Sequence, residues 1–192
     1  MIETKKVLGV GIYTKEKYSF GKKGNPTKEY SAWLSMLTRC YNERFLKNNI
    51  TYRGCSVCKE WMYFQNFAEW FNDNYIDGYQ LDKDLLQKGN KIYGPDTCCF
   101  VLQEINLLVV NRKNNRGKYP IGVSKDKKNF AAGMNINGKR KHIGNFQTIE
   151  EAFFSYKEYK ENYIKLLADK YKNKINNKVY SALVSFQINI TD

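Results

Sequence analysis

The stretch Phe130-Ala131-Ala132-Gly133-Met134-Asn135-Ile136-Asn137-Gly138-Lys139-Arg140-Lys141-His142-Ile143-Gly144 decides how the second half of this 192-residue chain is read. Phe130, Ala132, Met134 and Ile136 alternate with Ala131, Gly133 and Asn135, the period-two signature of a half-buried strand. Asn137-Gly138 is the strongest short hairpin signal, because both central residues of a type I′ turn need positive φ. Lys139 to Gly144 then returns as the next strand, and Ile121-Gly122-Val123 upstream reads as the start of the first. Thr148 with Glu151 three residues later forms a capping box. The helix that follows carries Ala152, Tyr156, Tyr159, Tyr163 and Leu166 at spacings of three and four. Residues 119–173 are therefore expected to form three antiparallel strands backed by one helix.

Upstream of this module, Asn111-Arg112-Lys113-Asn114-Asn115-Arg116-Gly117-Lys118 is a polar, basic linker. Downstream, residues 174–192 contain Leu183-Val184-Ser185-Phe186, which reads either as an added strand or as a docking tail. Residues 1–110 make up the first region. Its opening 26 residues carry Gly9, Gly11, Gly21, Gly24 and Pro26 and suggest an extended arm or loose hairpin. Glu29 to Arg44 has helical spacing with Thr27 placed to cap it, and a loop is expected through Asn48-Asn49. Trp61 to Phe71 is a second helix whose stripe of Phe64, Phe67, Trp70 and Phe71 is assigned to core packing. Gln80 to Leu85 reads as a strand, Gly89-Asn90 and Pro95-Asp96 as turns, Cys99-Phe100-Val101 as a returning strand and Gln103 to Val110 as a helix. The fold class is α+β: a helical and ββα region followed by a three-stranded antiparallel sheet packed on one helix.

The formal net charge is +13. A polyanionic partner explains such a charge, because each phosphate neutralised by Lys or Arg releases condensed counterions. A Lys-, Asn-, Ile- and Tyr-rich composition of the kind AT-rich genomes favour is the competing explanation. Clustering weighs against it, since Asn111 to Lys172 holds 15 Lys/Arg against 6 Asp/Glu. The mean hydropathy of -0.64 and the lack of any run of about 18 apolar residues exclude a membrane helix. Met1-Ile2-Glu3-Thr4-Lys5-Lys6 lacks a signal peptide's apolar stretch, so a cytoplasmic location is expected, in the host cytoplasm if the chain is phage-encoded. Five cysteines without a secretion signal argue against a disulfide framework and leave reduced thiols or a metal site.

The segments Tyr119-Pro120-Ile121-Gly122-Val123-Ser124, Phe130-Ala131-Ala132, Asn137 to Phe146 and Glu150-Glu151-Ala152 together resemble the Apetala-two (ethylene-response-factor) DNA-binding domain. That family also occurs in bacterial and phage endonucleases and integrases. The resemblance implies a sheet laid into the major groove with the helix behind it. It also exposes a departure: the middle strand offers Ala131, Gly133 and Asn135 where the family presents long polar side chains. Only Asn135 is equipped for a bidentate contact with adenine. Arg116, Lys118, Lys125, Lys127, Lys128, Lys139, Arg140, Lys141 and His142 are the residues expected to contact DNA, chiefly its phosphates, which set affinity and register without reading sequence. His142 stands where the family often has an aromatic residue and is read as a surface contact.

In the first region, Arg39-Cys40-Tyr41-Asn42, Tyr52-Arg53-Gly54, Val57 to Trp61, Phe64 to Phe67, Leu81-Asp82-Lys83-Asp84, Gly89 to Cys98 and Asn106 look like a phage and bacterial family labelled HNH-like. The resemblance implies a strand–loop–strand–helix nuclease unit clamping one divalent cation. In it Asp82 is the first ligand, Asn106 the helical one and Asn90 the loop-orienting residue; oxygen donors of this kind suit Mg²⁺ or Mn²⁺. Lys83 stands where the family has its histidine base. A lysine is protonated near neutral pH unless desolvated, so it is a poor base and an adequate phosphate clamp. Asp84 is the substitute base. The competing reading makes Asp82, Lys83 and Asp84 a charged strand end.

Cys55-Ser56-Val57-Cys58 is a CxxC pair, and Cys40 with Cys98 or Cys99 completes a candidate structural zinc set. Buried apolar thiols are the alternative. Two functions follow as expectations: a metal-dependent, phage-type DNA endonuclease, or a catalytically inert DNA-binding protein acting as a regulator or counter-defence factor. A third expectation is a basic inhibitor that meets an acidic host defence protein.

Overall fold

Short apolar stretches broken by glycine fold the N-terminus into hairpins in the computed structural model, which describes residues 4–110 and 117–192. Strands β1 (Thr4–Val7) and β2 (Gly11–Thr14) pair antiparallel, as do β3 (Gly21–Lys22) and β4 (Asn25–Pro26). Helix α1 (Lys28–Tyr41) begins at the expected cap, where the Thr27 side chain accepts from the Tyr30 N–H. The loop anticipated after it is instead a short second helix, α2 (Glu43–Asn48), because the Asn42 side chain caps a new N-terminus by accepting from the Phe45 N–H. Strand β5 (Ser56–Val57) and helix α3 (Phe64–Asn74) follow.

The chain divides into two compact units, residues 1–102 and 103–192. In the first, α1 and α3 bury Trp33, Met36, Leu37, Trp61, Phe64, Phe67 and Phe71 in one cluster. The aromatic stripe of α3 is core. Trp33 reaches full burial without stranding its indole, since Nε1 donates to the Trp61 carbonyl at 2.7 Å. Strand β6 (Tyr79–Asp82), β7 (Ile92–Tyr93, parallel to β5) and β8 (Cys99–Leu102, antiparallel to β6) complete the unit.

The second unit starts with α4 (Gln103–Val109), which follows β8 without an intervening residue. Its sheet has the order β11-β10-β9, formed by β9 (Val123–Asp126), β10 (Asn129–Ile136) and β11 (Lys139–Phe146). Both turns are two residues long. Asn137 and Gly138 have φ of 49° and 78°, as the type I′ signal requires. Helix α5 (Ile149–Lys170) opens with the complete Thr148–Glu151 capping box. It buries Ala152, Phe153, Tyr156, Lys160, Ile164 and Leu167. Tyr159 and Tyr163 are only half-buried, and Leu166, expected on this face, is 67% exposed.

Residues 177–184 form helix α6 (Asn177–Val184) rather than a strand, capped by the Asn176 side chain. The terminal residues dock on α5: Ile188 is buried, its N–H donates to Glu161 Oε1 at 2.7 Å, and Lys157 Nζ donates to its carbonyl at 2.8 Å. The whole is α+β with small sheets. Among the described residues no helix is long and apolar enough to cross a membrane.

Candidate functional site

Strand register decides which side chains share a face, since residues directly opposite one another project to the same side and neighbours alternate. Along β10, Ala132 and Met134 are buried toward α5. The other face therefore carries Asn129, Ala131, Gly133 and Asn135. Across from them on β11 stand Asn145, opposite Ala131, then His142, opposite Gly133, and Arg140, opposite Asn135. On β9, Ser124 stands opposite Ala131 and Asp126 opposite Asn129. Asn135, Arg140, His142 and Asn145 are all exposed.

This register contains one irregularity. The pairing shifts between Ala132 and Gly133, so that Ile143 is an extra residue on β11. The bulge turns Asn145 to the face shared by Asn135 and leaves Gly144 and Phe146 on the α5 side. A β-carbon on Gly133 would lie 2.8 Å from the Lys141 carbonyl oxygen and 3.2 Å from both Nε and a terminal nitrogen of Arg140. The Arg140 guanidinium thus lies across Gly133, beside Asn135. The small middle strand is a floor, and the Arg140 side chain of the flanking strand folds over it.

The remaining basic residues are distributed differently. Lys125, Lys139 and Lys141 stand opposite Phe130, Ile136 and Met134, so by register they belong to the α5 side of the sheet. Lys125 packs its ammonium 4.1 Å from the Phe130 ring centroid. Lys127 and Lys128 form the exposed β9–β10 turn, with Lys127 at φ 50°, and Lys118 is exposed ahead of β9. Arg116 lies outside the described residues. Sequence reading missed Ser124, Asn129 and Asn145 because their facing depends on register and on the bulge.

In the first unit, Asp82 ends β6 and is 8% exposed. Its Oδ1 accepts the backbone N–H groups of Asp84 at 2.8 Å and Leu85 at 2.7 Å. Burial pushes the Asp82 carboxyl above its usual range, against the pull of those two bonds. Lys83 is also buried, and its ammonium donates to Asp84 Oδ1 at 2.7 Å and to the Asn90 carbonyl at 2.8 Å. Asn90 closes the loop, with Nδ2 donating to the Lys83 and Ile92 carbonyls at 2.8 and 2.7 Å and Oδ1 accepting from the Ile92 N–H at 3.1 Å. Asp82, Lys83, Asp84 and Asn90 are therefore brought together as a network that fixes residues 82–92. Asn106 is carried by α4, in the second unit.

Cys40, Cys55 and Cys98 belong to the hydrophobic core of the first unit, with Cys58 packed against it, and all are free thiols. Burial pushes the Cys40 and Cys98 thiols up to about 12, and the Cys99 thiol up as well. Metal ligation needs the thiolate. Among the described residues no three of His, Cys, Asp and Glu are grouped so as to hold a metal ion. Comparisons with protein families, with curated proteins and with solved structures each found no match to the chain.

Proposed function

We propose that this chain is a DNA-binding protein that engages the duplex with the exposed face of its three-stranded sheet. The observation that carries the reading is the juxtaposition of Arg140, Asn135 and His142 over the Gly133 floor. Three strands about 4.8 Å apart span roughly the width a major groove of about 12 Å admits. Arg140 is suited to the O6/N7 edge of guanine and Asn135 to the N6/N7 edge of adenine. Lys127, Lys128 and Lys118 at the margin supply phosphate contacts, which give affinity and salt dependence.

The test is fluorescence anisotropy of labelled duplexes with the full chain. Arg140→Ala with Asn135→Ala should erase discrimination between duplexes. Lys127→Ala with Lys128→Ala should instead weaken binding to all of them and flatten its salt slope. Absence of any binding at low salt defeats the reading.

A second reading, a metal-dependent DNA endonuclease, is favoured by one feature: a β6–loop–β8 pair with Asp82 ending the first strand, followed at once by α4. On this reading Asp82 is a proposed cation ligand, with Mg²⁺ or Mn²⁺ stabilising the leaving oxygen. Lys83 and Asp84 are engaged with each other and with the loop backbone, which weighs toward the inert binder. Nicking of supercoiled plasmid that needs Mg²⁺ or Mn²⁺, stops with EDTA and is lost in Asp82→Asn would establish the enzyme.

A further inference from the structure

Strand β11 is the outer strand of the three-stranded sheet, and among the described residues no strand lies beside its far edge. The direction of its peptide groups follows from the middle strand. The Gly133 N–H points toward β9, where it donates to the Gly122 carbonyl at 2.9 Å, so the peptide groups of Met134 and Ile136 point toward β11. Lys139 and Lys141, opposite Ile136 and Met134, turn their own peptide groups back to β10. Arg140 and His142 alternate with them. Their N–H and C=O groups are directed at the open edge, where none has a partner among the described residues.

The side chains along this edge narrow the choice of occupant. Lys139, Arg140 and Lys141 are consecutive cations, all exposed, and among the described residues none has a carboxylate at ion-pair distance. They alternate between faces: Arg140 lies on the outer face with His142, whereas Lys139 and Lys141 belong to the α5 side. A duplex on the outer face meets Arg140 and leaves both lysines unmatched. A second copy of β11 is a poor occupant, because antiparallel self-pairing sets this basic run against itself and like charges directly opposite destabilise a sheet. The same charges favour an acidic strand, whose side chains alternate with the period of the edge and reach both faces.

We propose that the edge over residues 139–142 takes up an extended acidic segment of a partner protein as a fourth strand, with main-chain hydrogen bonds to Arg140 and His142 and carboxylates opposite Lys139 and Lys141. In such strand addition the main-chain bonds supply affinity and the alternate side chains supply selectivity. The added strand ends at Ile143, where the bulge interrupts the edge. The inference goes beyond the DNA-binding reading and does not depend on it.

The probe is the peptide Thr-Asp-Val-Asp-Val-Asp-Thr, titrated into the ¹⁵N-labelled full chain. It should bind saturably, and hydrogen exchange at the Arg140 and His142 amides should slow by at least about tenfold at saturation. Two isomers carry N-methyl groups either on the valine amides or on the aspartate amides. Only one set of amides faces β11, so one isomer should bind like the parent and the other at least about tenfold more weakly. Lys139→Glu with Lys141→Glu should lose the aspartate peptide and gain the matching lysine peptide, Thr-Lys-Val-Lys-Val-Lys-Thr. Both positions are exposed, so the fold is retained in this variant. Equal binding of the two methylated isomers would reduce the contact to charge attraction alone. Unchanged Arg140 and His142 amides, or a double variant that still prefers the aspartate peptide, would place the contact elsewhere. Each of these outcomes overturns the proposal.

Discussion

The guanidinium of Arg140 lies directly over Gly133 on the adjacent strand, with two of its nitrogens 3.2 Å from where a β-carbon at that position would sit. The contact ties a basic side chain to the one residue type that leaves it room. Arg140→Ala should weaken duplex binding by about tenfold, within the 1–3 kcal/mol that a bidentate base contact contributes to discrimination. Gly133→Ala should produce a similar loss while Arg140 itself is retained, because the new methyl displaces the guanidinium and crowds the Lys141 carbonyl. Anisotropy titrations at fixed salt compare the two. Wild-type affinity in Arg140→Ala would remove this residue from the interface.

Lys127 holds φ at 50° in a two-residue turn, a conformation that costs a side-chain-bearing residue about 1 kcal/mol or more. Lys127→Gly should therefore raise the urea midpoint by an amount equivalent to about 1 kcal/mol. The same variant should lower the salt slope of DNA binding by about one unit, the loss of one phosphate contact. Stability and binding are expected to move in opposite directions.

Gly122 combines φ of 79° with a site where a β-carbon would fall 2.1 Å from the Tyr156 ring. Gly122→Ala should cost about 3 kcal/mol, summing backbone strain and overpacking against α5. Gly138→Ala is the control: φ is 78°, but nothing lies within 4 Å of the added carbon. It should cost only the backbone part, about 1 kcal/mol. Chemical denaturation of the two variants measures the difference, and equal costs would mean that Tyr156 is free to move aside.

Asp82 should behave as a structural acceptor carrying an unwelcome charge. Asp82→Ala strands two backbone donors and should cost about 2 kcal/mol or more. Asp82→Asn keeps the accepting oxygen and removes the buried charge, so it should be at least as stable as the wild type at pH 7. The pH dependence has a definite sign. Because burial holds the folded-state pKa above the unfolded value of about 3.9, the folded chain takes up this proton first as pH falls. Ionised Asp82 thus penalises the fold above its folded-state pKa, and acidification toward the unfolded value relieves the penalty. The stability difference between Asp82→Asn and wild type should be widest near neutrality and shrink with acidification. A difference that grows instead would show an ionised Asp82 to be stabilising.

Much of the fold was legible because it rests on local rules. Thr27 and Thr148 announced two helices, Asn137-Gly138 announced a hairpin, and the aromatic spacing of α3 announced its buried face. The misses have physical causes. Tyr159, Tyr163 and Leu166 suggested a buried stripe, whereas α5 buries Lys160, Ile164 and Leu167, because a buried lysine is invisible to hydrophobic periodicity. Lys127-Lys128 carries no turn residue, so its tight turn is imposed by the strands it joins. Among the site residues, chain order grouped the basic side chains from Lys125 to His142, but register divided them between the two faces. Asp82 and Lys83 read as a ligand and a phosphate clamp, with a charged strand end as the competing reading, and their burial within their own loop is set by hydrogen bonds that the sequence does not display.

The extra residue at Ile143 has a consequence for how the sheet tolerates changes in length. The two-residue turn fixes the facing of Arg140 and His142, while Phe146 keeps its place opposite Phe130 only because one residue is skipped between them. A strand shortened by deleting Ile143 would pair continuously and still present the same side chains on each surface. A strand of the present length without the skip would exchange them, sending Asn145 toward α5 and Phe146 into solvent. The surface that faces outward is thus set by a parity, and it survives only if the length of β11 and the skip at Ile143 change together.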